Sequence, residues 1–131
     1  MVLNRQEGNP LHKLSALMTR ENLVAMQAEV ENTYIKDSVV KYLVDLIVAT
    51  RNHEDILRGA SPRATLAVTS MAKAVAQLRG RDYVLPSDVR EVFPWTVAHR
   101  LILSPKAEGQ GKTPEQILAE IVSQVPGPRM R

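Results

Sequence analysis

The sequence predicts a mainly α-helical fold, a small helical bundle with a tiny two-stranded sheet. Apolar residues recur at spacings of three and four along several segments, which is the pattern of helices with one buried face. Ser or Thr precedes most of these segments, and Gly or Pro follows several of them, as expected at helix ends. β-Prone residues are concentrated in Thr33–Ile35 and Asp82–Leu85, which we expect to pair with each other.

Helix bounds follow from capping residues and from the apolar periodicity. Ser or Thr at the N-cap accepts a hydrogen bond from a first-turn N–H group, and Pro suits the next position. Helices are therefore predicted over residues 20–32 after Thr19, from Asp37 or Ser38 to about 50, over 62–78 after Ser61, from Ser87 to 93, and from Thr113 to 125. Gly80 should end the third helix, whereas Pro94 should bend or break the fourth before a helical turn or a second short helix over 95–103. Residues 51–60 and 104–112 are expected to be surface connections.

Each long helix has an apolar face that should be buried. The predicted faces are Leu23, Met26 and Val30 in the first helix; Val39, Val40, Leu43, Val44, Leu46 and Ile47 in the second; Leu66, Met71, Val75 and Leu78 in the third; and Ile117, Leu118, Ile121, Val122 and Val125 in the last. The second helix should be central, and the many alanines of the third should allow close helix packing.

Composition limits the classes of function. The chain has 131 residues and a net charge of +3, which suits one domain over residues 1–131. It has no cysteine, which excludes disulfides and thiolate metal sites and makes a cytoplasmic location the expectation. No apolar run approaches the roughly 20 residues of a membrane helix. The three histidines have no metal-ligand spacing, so no metal site is expected.

The segment Gly111-Lys112-Thr113 is similar to the end of a phosphate-binding loop, but it fails as one. The full motif requires a glycine five positions before Gly111, where this chain has Lys106, and Pro114 removes a backbone donor. A capped surface loop is predicted here instead. No local pattern of Ser, His and acidic residues indicates a nucleophile.

Arg63 is the strongest candidate for a functional residue. It follows the turn Gly59-Ala60-Ser61-Pro62 and therefore projects from the first turn of a helix, where the macrodipole is positive. A cation is unfavourable there unless an anion lies nearby, so the position suggests a phosphate partner. The alternative is a solvated arginine paired with Glu54 or Asp55.

Basic residues outnumber acidic ones between positions 51 and 90. They are Arg51, Arg58, Arg63, Lys73, Arg79, Arg81 and Arg90. Such an excess could form the phosphate-facing surface of a DNA-binding module, or only a solvated face. Nucleic acid is the less favoured partner, because aromatic residues are few and most are expected in the core.

Several segments occur in an order and at distances that resemble one known family. They are Ala49-Thr50-Arg51, Gly59-Ala60-Ser61-Pro62-Arg63-Ala64, Gly80-Arg81-Asp82-Tyr83-Val84 with Pro86, Asp88 and Val89, and His99-Arg100-Leu101. Together they closely resemble the C-terminal helical lid of MoxR-type AAA+ ATPases, and the resemblance extends from about Asn9 to Pro128. Phe93-Pro94-Trp95 departs from the smoother helical sequence of that family.

The resemblance implies a role for Arg63. In this family the arginine of the Ser-Pro-Arg turn is the sensor-2 residue, which reaches the terminal phosphates of ATP. Arg63 matches that position and would be catalytic and nucleotide-binding in the full-length protein. ATP and Mg²⁺ are the implied cofactors of that protein, and this chain alone should bind neither tightly. The implied partners are a preceding α/β domain, neighbouring ring subunits and a protein substrate, in chaperone-like remodelling or metal-cofactor insertion.

The resemblance also implies that a part of the protein is missing. The Walker A loop, the Walker B acidic residues and the sensor-1 strand of an AAA+ motor do not occur in the chain. We therefore expect a piece of a longer ATPase that does not hydrolyse ATP by itself. The sequence leaves open whether Met1 is the natural start, although the late place of these motifs in the domain order of the family argues against it. The resemblance leaves open whether Arg63 acts on its own subunit's nucleotide or a neighbour's. A basic DNA-binding module and a stand-alone interaction bundle are the alternative functions.

Overall fold

The computed structural model describes residues 9–129, and its fold confirms the predicted mainly α-helical bundle. Within these residues there are six α-helices: α1 (Arg20–Asn32), α2 (Asp37–Arg51), α3 (Pro62–Leu78), α4 (Pro86–Val97), α5 (Pro105–Gly109) and α6 (Pro114–Gln124). A two-stranded antiparallel sheet pairs β1 (Ile56–Arg58) with β2 (Ile102–Leu103). Short 3₁₀ helices cover Pro10–Lys13 and Ala98–Arg100.

The core lies between α2, α3, α4 and α6. Each contributes fully or almost fully buried side chains, among them Leu43, Val68, Phe93 and Ile117. α2 contacts α3, α4, α6 and β1, which confirms its predicted central place. A segment that contacts the end of α2 is therefore attached to the helix on which the other core helices pack.

The ends of three helices follow the predicted capping chemistry. Thr19 caps α1 and Thr113 caps α6, each accepting a hydrogen bond from a first-turn N–H group. Gly80 has a φ of +69° and ends α3 in a Schellman motif, in which the Arg81 N–H donates to the Ala76 carbonyl at 3.0 Å.

The starts of α2 and α4 differ from the prediction. α2 begins after Lys36, which provides no side-chain cap. α4 begins at Pro86, one residue earlier than predicted, and its first turn is capped by Asp88 rather than by a serine. The Asp88 carboxylate accepts a hydrogen bond from the Leu85 N–H at 2.8 Å. Asp88, which lies inside the first turn, thus provides the cap that was predicted for Ser87.

Pro94 does not break α4, although the sequence predicts a bend or a break there. The helix runs through Pro94 to Val97, and both Phe93 and Val97 are fully buried. Burial of this face against the neighbouring helices outweighs the backbone hydrogen bond that proline cannot make. The segment after α4 forms a 3₁₀ turn, in line with the expected helical turn, and then β2, which was not expected.

The two β-prone patches pair as predicted, but only through one parallel bridge between Tyr34 and Tyr83. The Tyr34 N–H donates to the Asp82 carbonyl at 2.8 Å, and the Val84 N–H donates to the Tyr34 carbonyl at 2.9 Å. The regular sheet, β1 with β2, forms in segments where no strand was predicted. The predicted surface loop over 104–112 contains α5.

Two predicted apolar faces are not the buried ones. α1 has no buried residue, and its Leu23 and Met26 are 48% and 43% exposed. α3 buries Ala64, Val68, Ala72 and Ala76, whereas Leu66, Met71 and Leu78 are exposed. Val40 and Val44 of α2 are also exposed, while the α6 face is confirmed by Ile117, Leu118 and Ile121. Of the five aromatic residues, Tyr42 and Phe93 are buried, but Tyr34, Tyr83 and Trp95 are exposed.

Candidate functional site

Arg63 lies in the first turn of α3 with its side chain exposed, as the sequence predicts. The predicted alternative, an ion pair with Glu54 or Asp55, is wrong. Asp55 pairs with Lys112, and among the ion pairs of residues 9–129 none involves Arg63 or Glu54. The guanidinium is therefore presented at a helix N-terminus without a carboxylate from the described part of the chain.

The turn before Arg63 is held by the last residues of α2. The Ala60 N–H donates to Thr50 Oγ1 at 2.9 Å, and Arg51 Nε donates to the Ala60 carbonyl at 2.8 Å. Thr50 Oγ1 also donates to the Ile47 carbonyl at 2.7 Å, which fixes the hydroxyl between two backbone groups. Two consecutive residues of α2 thus bind both backbone polar groups of Ala60.

Gly59 brings this turn into direct contact with the backbone of α2. A Cβ atom at position 59 would lie 2.7 Å from the Cα and N atoms of Arg51 and from the carbonyl carbon of Thr50. Because these are backbone atoms, they cannot move aside as a flexible side chain would. The glycine is required here by close packing of two backbone segments.

Asp55 and Lys112 join β1 to the turn between α5 and α6. The buried Asp55 carboxylate accepts a hydrogen bond from Lys112 Nζ, and its backbone carbonyl accepts one from the Ser104 N–H at 2.8 Å. The hydrogen bond from Lys112 lowers the pKa of Asp55, although burial opposes the shift, and the same bond raises the pKa of Lys112. Lys112 is therefore engaged in an ion pair within the bundle.

A second buried acid, Asp88, organises the corner between α3 and α4. Arg81 donates to both carboxylate oxygens, at 2.7 and 2.8 Å, and Arg79 donates to one of them at 3.1 Å. Burial acts to raise the pKa of Asp88, but hydrogen bonds from Arg81, from the Leu85 N–H and from Arg79 hold the pKa below its usual value. Arg79 also reaches Glu91 at 2.6 Å.

Several of the basic side chains between positions 51 and 90 make contacts within the bundle. Arg79 and Arg81 bind Asp88, Arg51 binds the Ala60 carbonyl, and Lys73 Nζ donates to the Glu31 carbonyl at 2.8 Å. These contacts engage four of the seven basic side chains, and the excess of positive charge in the segment remains. Within residues 9–129, no group of three or more His, Asp or Glu side chains could hold a metal ion, and no helix is long and apolar enough to cross a membrane.

The comparison with protein families places this architecture in a defined class. The family model of the AAA lid domain matches residues 48–121, which are more than half of the chain and include the Ser61-Pro62-Arg63 turn. The chain therefore belongs to the AAA lid domain family.

Individual relatives place the chain more closely within that class. It is 37% identical to the uncharacterized protein YeaC of Bacillus subtilis in an alignment of 131 positions that covers 99% of this chain and 41% of YeaC. It is 32% identical to the chaperone MoxR1 of Mycobacterium tuberculosis in an alignment of 123 positions that covers 87% of this chain and 33% of MoxR1. A crystal structure of a candidate ATPase from Cytophaga hutchinsonii matches with a TM-score of 0.88 at 30% identity, over 97% of this chain and 41% of that one. The resemblance to a MoxR-type AAA+ lid is confirmed, and the chain spans about two fifths of the length of YeaC.

The contact of Thr50 and Arg51 with Ala60 is the part of the site that the sequence did not reveal. Ala49-Thr50-Arg51 contributed to the family resemblance, but no spacing rule links position 50 to position 60. The glycine at position 59 was the only local signal, because glycine permits close backbone approach. By contrast, the position and exposure of Arg63 followed directly from the helix start.

Proposed function

We propose that the chain, over residues 1–131, is the lid of a MoxR-like AAA+ ATPase and that Arg63 is its sensor-2 arginine. In this proposal Arg63 contacts the terminal phosphates of ATP held by a preceding α/β domain. One observation carries the proposal: an exposed guanidinium in the first turn of α3, without a carboxylate partner in the described residues of an AAA lid domain. A cation in that place favours an anion supplied from outside the lid.

The donor set of the lid fits a phosphate oxygen but not a whole nucleotide. Arg63 provides a planar fork of N–H donors, which suits phosphate geometry. Lys112, the other cation in a phosphate-loop-like segment, is bound to Asp55. No acidic cluster suited to Mg²⁺ occurs in residues 9–129. We therefore assign the cradle for ATP and Mg²⁺ to the preceding domain, with Arg63 reaching it from the lid.

Arg63 would act as a positioned cation in phosphoryl transfer. Negative charge is spread over the oxygens of the transferred group in the transition state, and a fixed guanidinium stabilises it. When hydrolysis removes that contact, the lid would rotate as a rigid body against the ATPase domain. We assign this motion to chaperone-like remodelling or metal-cofactor insertion in the cytoplasm, with ring neighbours and a protein substrate as partners.

The test is Arg63→Ala in the longer protein that includes the ATPase domain. Removal of one preorganised donor should lower kcat for ATP hydrolysis by about 100-fold, while ATP still binds through the preceding domain. Arg90→Ala, which removes another exposed arginine on α4, is the matched control and should keep normal turnover. Unchanged turnover in Arg63→Ala would refute the sensor-2 assignment.

A further inference from the structure

The start of α3 lacks a cap of its own. Ser61 occupies the N-cap position, but its side chain makes no capping hydrogen bond, and Gly59 gives the turn before it no side chain with which to pack. Ala64 is fully buried in the first turn of α3, but the residues before Ser61 depend on contacts outside the helix. The support comes from α2, through Thr50 and Arg51.

We propose that Thr50 and Arg51 are positioning residues that aim Arg63 at its anion, an inference that rests on the proposed phosphate contact of Arg63. They bind the N–H and the carbonyl of Ala60, three residues before Arg63. With both groups fixed, the backbone that enters α3 has one direction relative to α2. The direction of the Arg63 side chain is then a property of the bundle and not of a flexible loop.

The same contacts make the turn a mechanical link. α2 is the central helix and contacts α3, α4, α6 and β1. A force on Arg63 from a bound phosphate would pass along α3, which packs on α2 and α4, and also through Ala60 to Thr50 and Arg51. Without these hydrogen bonds, the start of α3 would be held by the helix alone, through the buried Ala64.

Thr50 is the residue through which this idea can be tested without touching the nucleotide. It is 0% exposed, and its hydroxyl is fully engaged by the Ile47 carbonyl and the Ala60 N–H. Thr50 can therefore influence a phosphate outside the lid only through the turn at Ala60, which its hydroxyl holds. Arg51 is exposed, so a substitution there leaves the core intact but could also alter an external contact. The two residues therefore provide complementary variants.

The experiment measures ATP turnover of the longer protein with Thr50→Val, Thr50→Ser and Arg51→Lys. Thr50→Val keeps the shape of the side chain but removes the acceptor for the Ala60 N–H, and it should lower kcat about 10-fold with little change in KM for ATP, since misplacement of a catalytic group acts on kcat. Thr50→Ser keeps the hydroxyl and should retain near-normal kcat. Arg51→Lys loses the Nε donor and should share the loss. Thr96→Val, which removes another buried hydroxyl that donates to a helix carbonyl, controls for hydroxyl loss as such.

A double variant separates positioning from general weakening of the fold. In the Arg63→Ala background, Thr50→Val should cause no further loss of kcat, because its effect acts through Arg63. The same 10-fold loss in that background would overturn the inference, as would full activity of Thr50→Val with Arg63 present. Unchanged turnover in Arg63→Ala alone would refute the sensor-2 role itself, and the two failures are thus distinguishable. All assays are run well below the thermal midpoint of each variant, as measured by circular dichroism.

Discussion

At the scale of single residues, Asp88 determines how α3 and α4 meet. Its carboxylate is fully buried and accepts hydrogen bonds from Arg79, Arg81 and the Leu85 N–H. Asp88→Ala should therefore lower the free energy of unfolding by about 3 kcal/mol, because it strands two arginines and removes a helix cap. Urea denaturation of the chain measures this value.

The control for this substitution is an exposed ion pair in α2. Asp45 accepts a hydrogen bond from Lys41 at 2.9 Å, and the side chains of Lys41 and Asp45 are 76% and 47% exposed. Asp45→Ala should change stability by no more than about 0.5 kcal/mol. If Asp88→Ala and Asp45→Ala lowered the free energy of unfolding by the same small amount, the hydrogen bonds of Asp88 would not have the stabilising role assigned to them.

The same carboxylate predicts how stability depends on pH. The pKa of Asp88 is lower in the folded chain than its usual value of about 3.9. Its contribution is therefore complete above that usual value and is lost as the pH falls through the lower, folded pKa. Asp55, whose pKa is also lowered, acts in the same direction. Unfolding measured between about pH 6 and pH 2 should show stability falling in acid, and Asp88→Asn should flatten that fall; an equally steep fall in the variant would contradict the assignment.

The close contact between Gly59 and the backbone of α2 predicts how a side chain at position 59 affects stability. Gly59→Ala should destabilise the chain by about 2 kcal/mol, because the added methyl meets the backbone of Thr50 and Arg51 at 2.7 Å. Gly109→Ala is the matched control, since a Cβ there meets nothing within 4 Å, and it should be neutral within about 0.5 kcal/mol. Thermal unfolding of both variants provides the comparison. A neutral Gly59→Ala would show that the two backbones can separate without cost.

At the scale of elements, α3 shows where sequence reasoning succeeds and where it stops. Its bounds, 62–78, could be predicted because caps and glycine stops are local chemistry. Its buried face could not, because Ala64, Ala72 and Ala76 face the core while larger apolar residues such as Leu78 face outward. Small residues let helices approach closely. Which face of α3 is buried therefore depends on the helix that packs against it rather than on hydrophobicity.

The sheet of β1 with β2 and the contacts of the turn at Ala60 were not predicted, because they also depend on how separate segments pack together. β1 and β2 are three and two residues long and are paired across more than forty positions of sequence. The bond from Thr50 to Ala60 likewise depends on how α2 ends relative to α3. Arg63 itself needed no such information, since its place follows from the proline immediately before it.

Pro94 provides a prediction at the scale of one helix. It lies inside α4, where proline removes a backbone hydrogen bond and crowds the preceding turn. Pro94→Ala should therefore stabilise the chain by about 1–3 kcal/mol, because tertiary packing already holds the helix in place. Pro114→Ala, at the first position of α6, is the control and should give no gain, since proline costs nothing there. A loss of stability in Pro94→Ala, measured in urea, would show that the ring makes packing contacts worth more than the missing hydrogen bond.

At the scale of the whole molecule, the bundle should not open as a single unit. α1 has no buried residue, and its end is held to α3 by two hydrogen bonds, from Lys73 to the Glu31 carbonyl and from Gln77 to Thr33. Burial of apolar side chains is what makes local opening costly, so α1 should open while the rest of the lid stays folded.

Hydrogen exchange measured by NMR tests this uneven stability. Amides in the middle of α1 should exchange at least about 100-fold faster than those of α2, because they need only local opening. α6 is the internal control: it is shorter than α1 and also lies toward one end of the described chain, but it buries Ile117, Leu118 and Ile121. Its amides should approach the protection of α2. Equal opening free energies for α1 and α2 would mean that the contacts between α1 and α3 make the lid one cooperative unit, and α1 would then move with the lid as a rigid part of it.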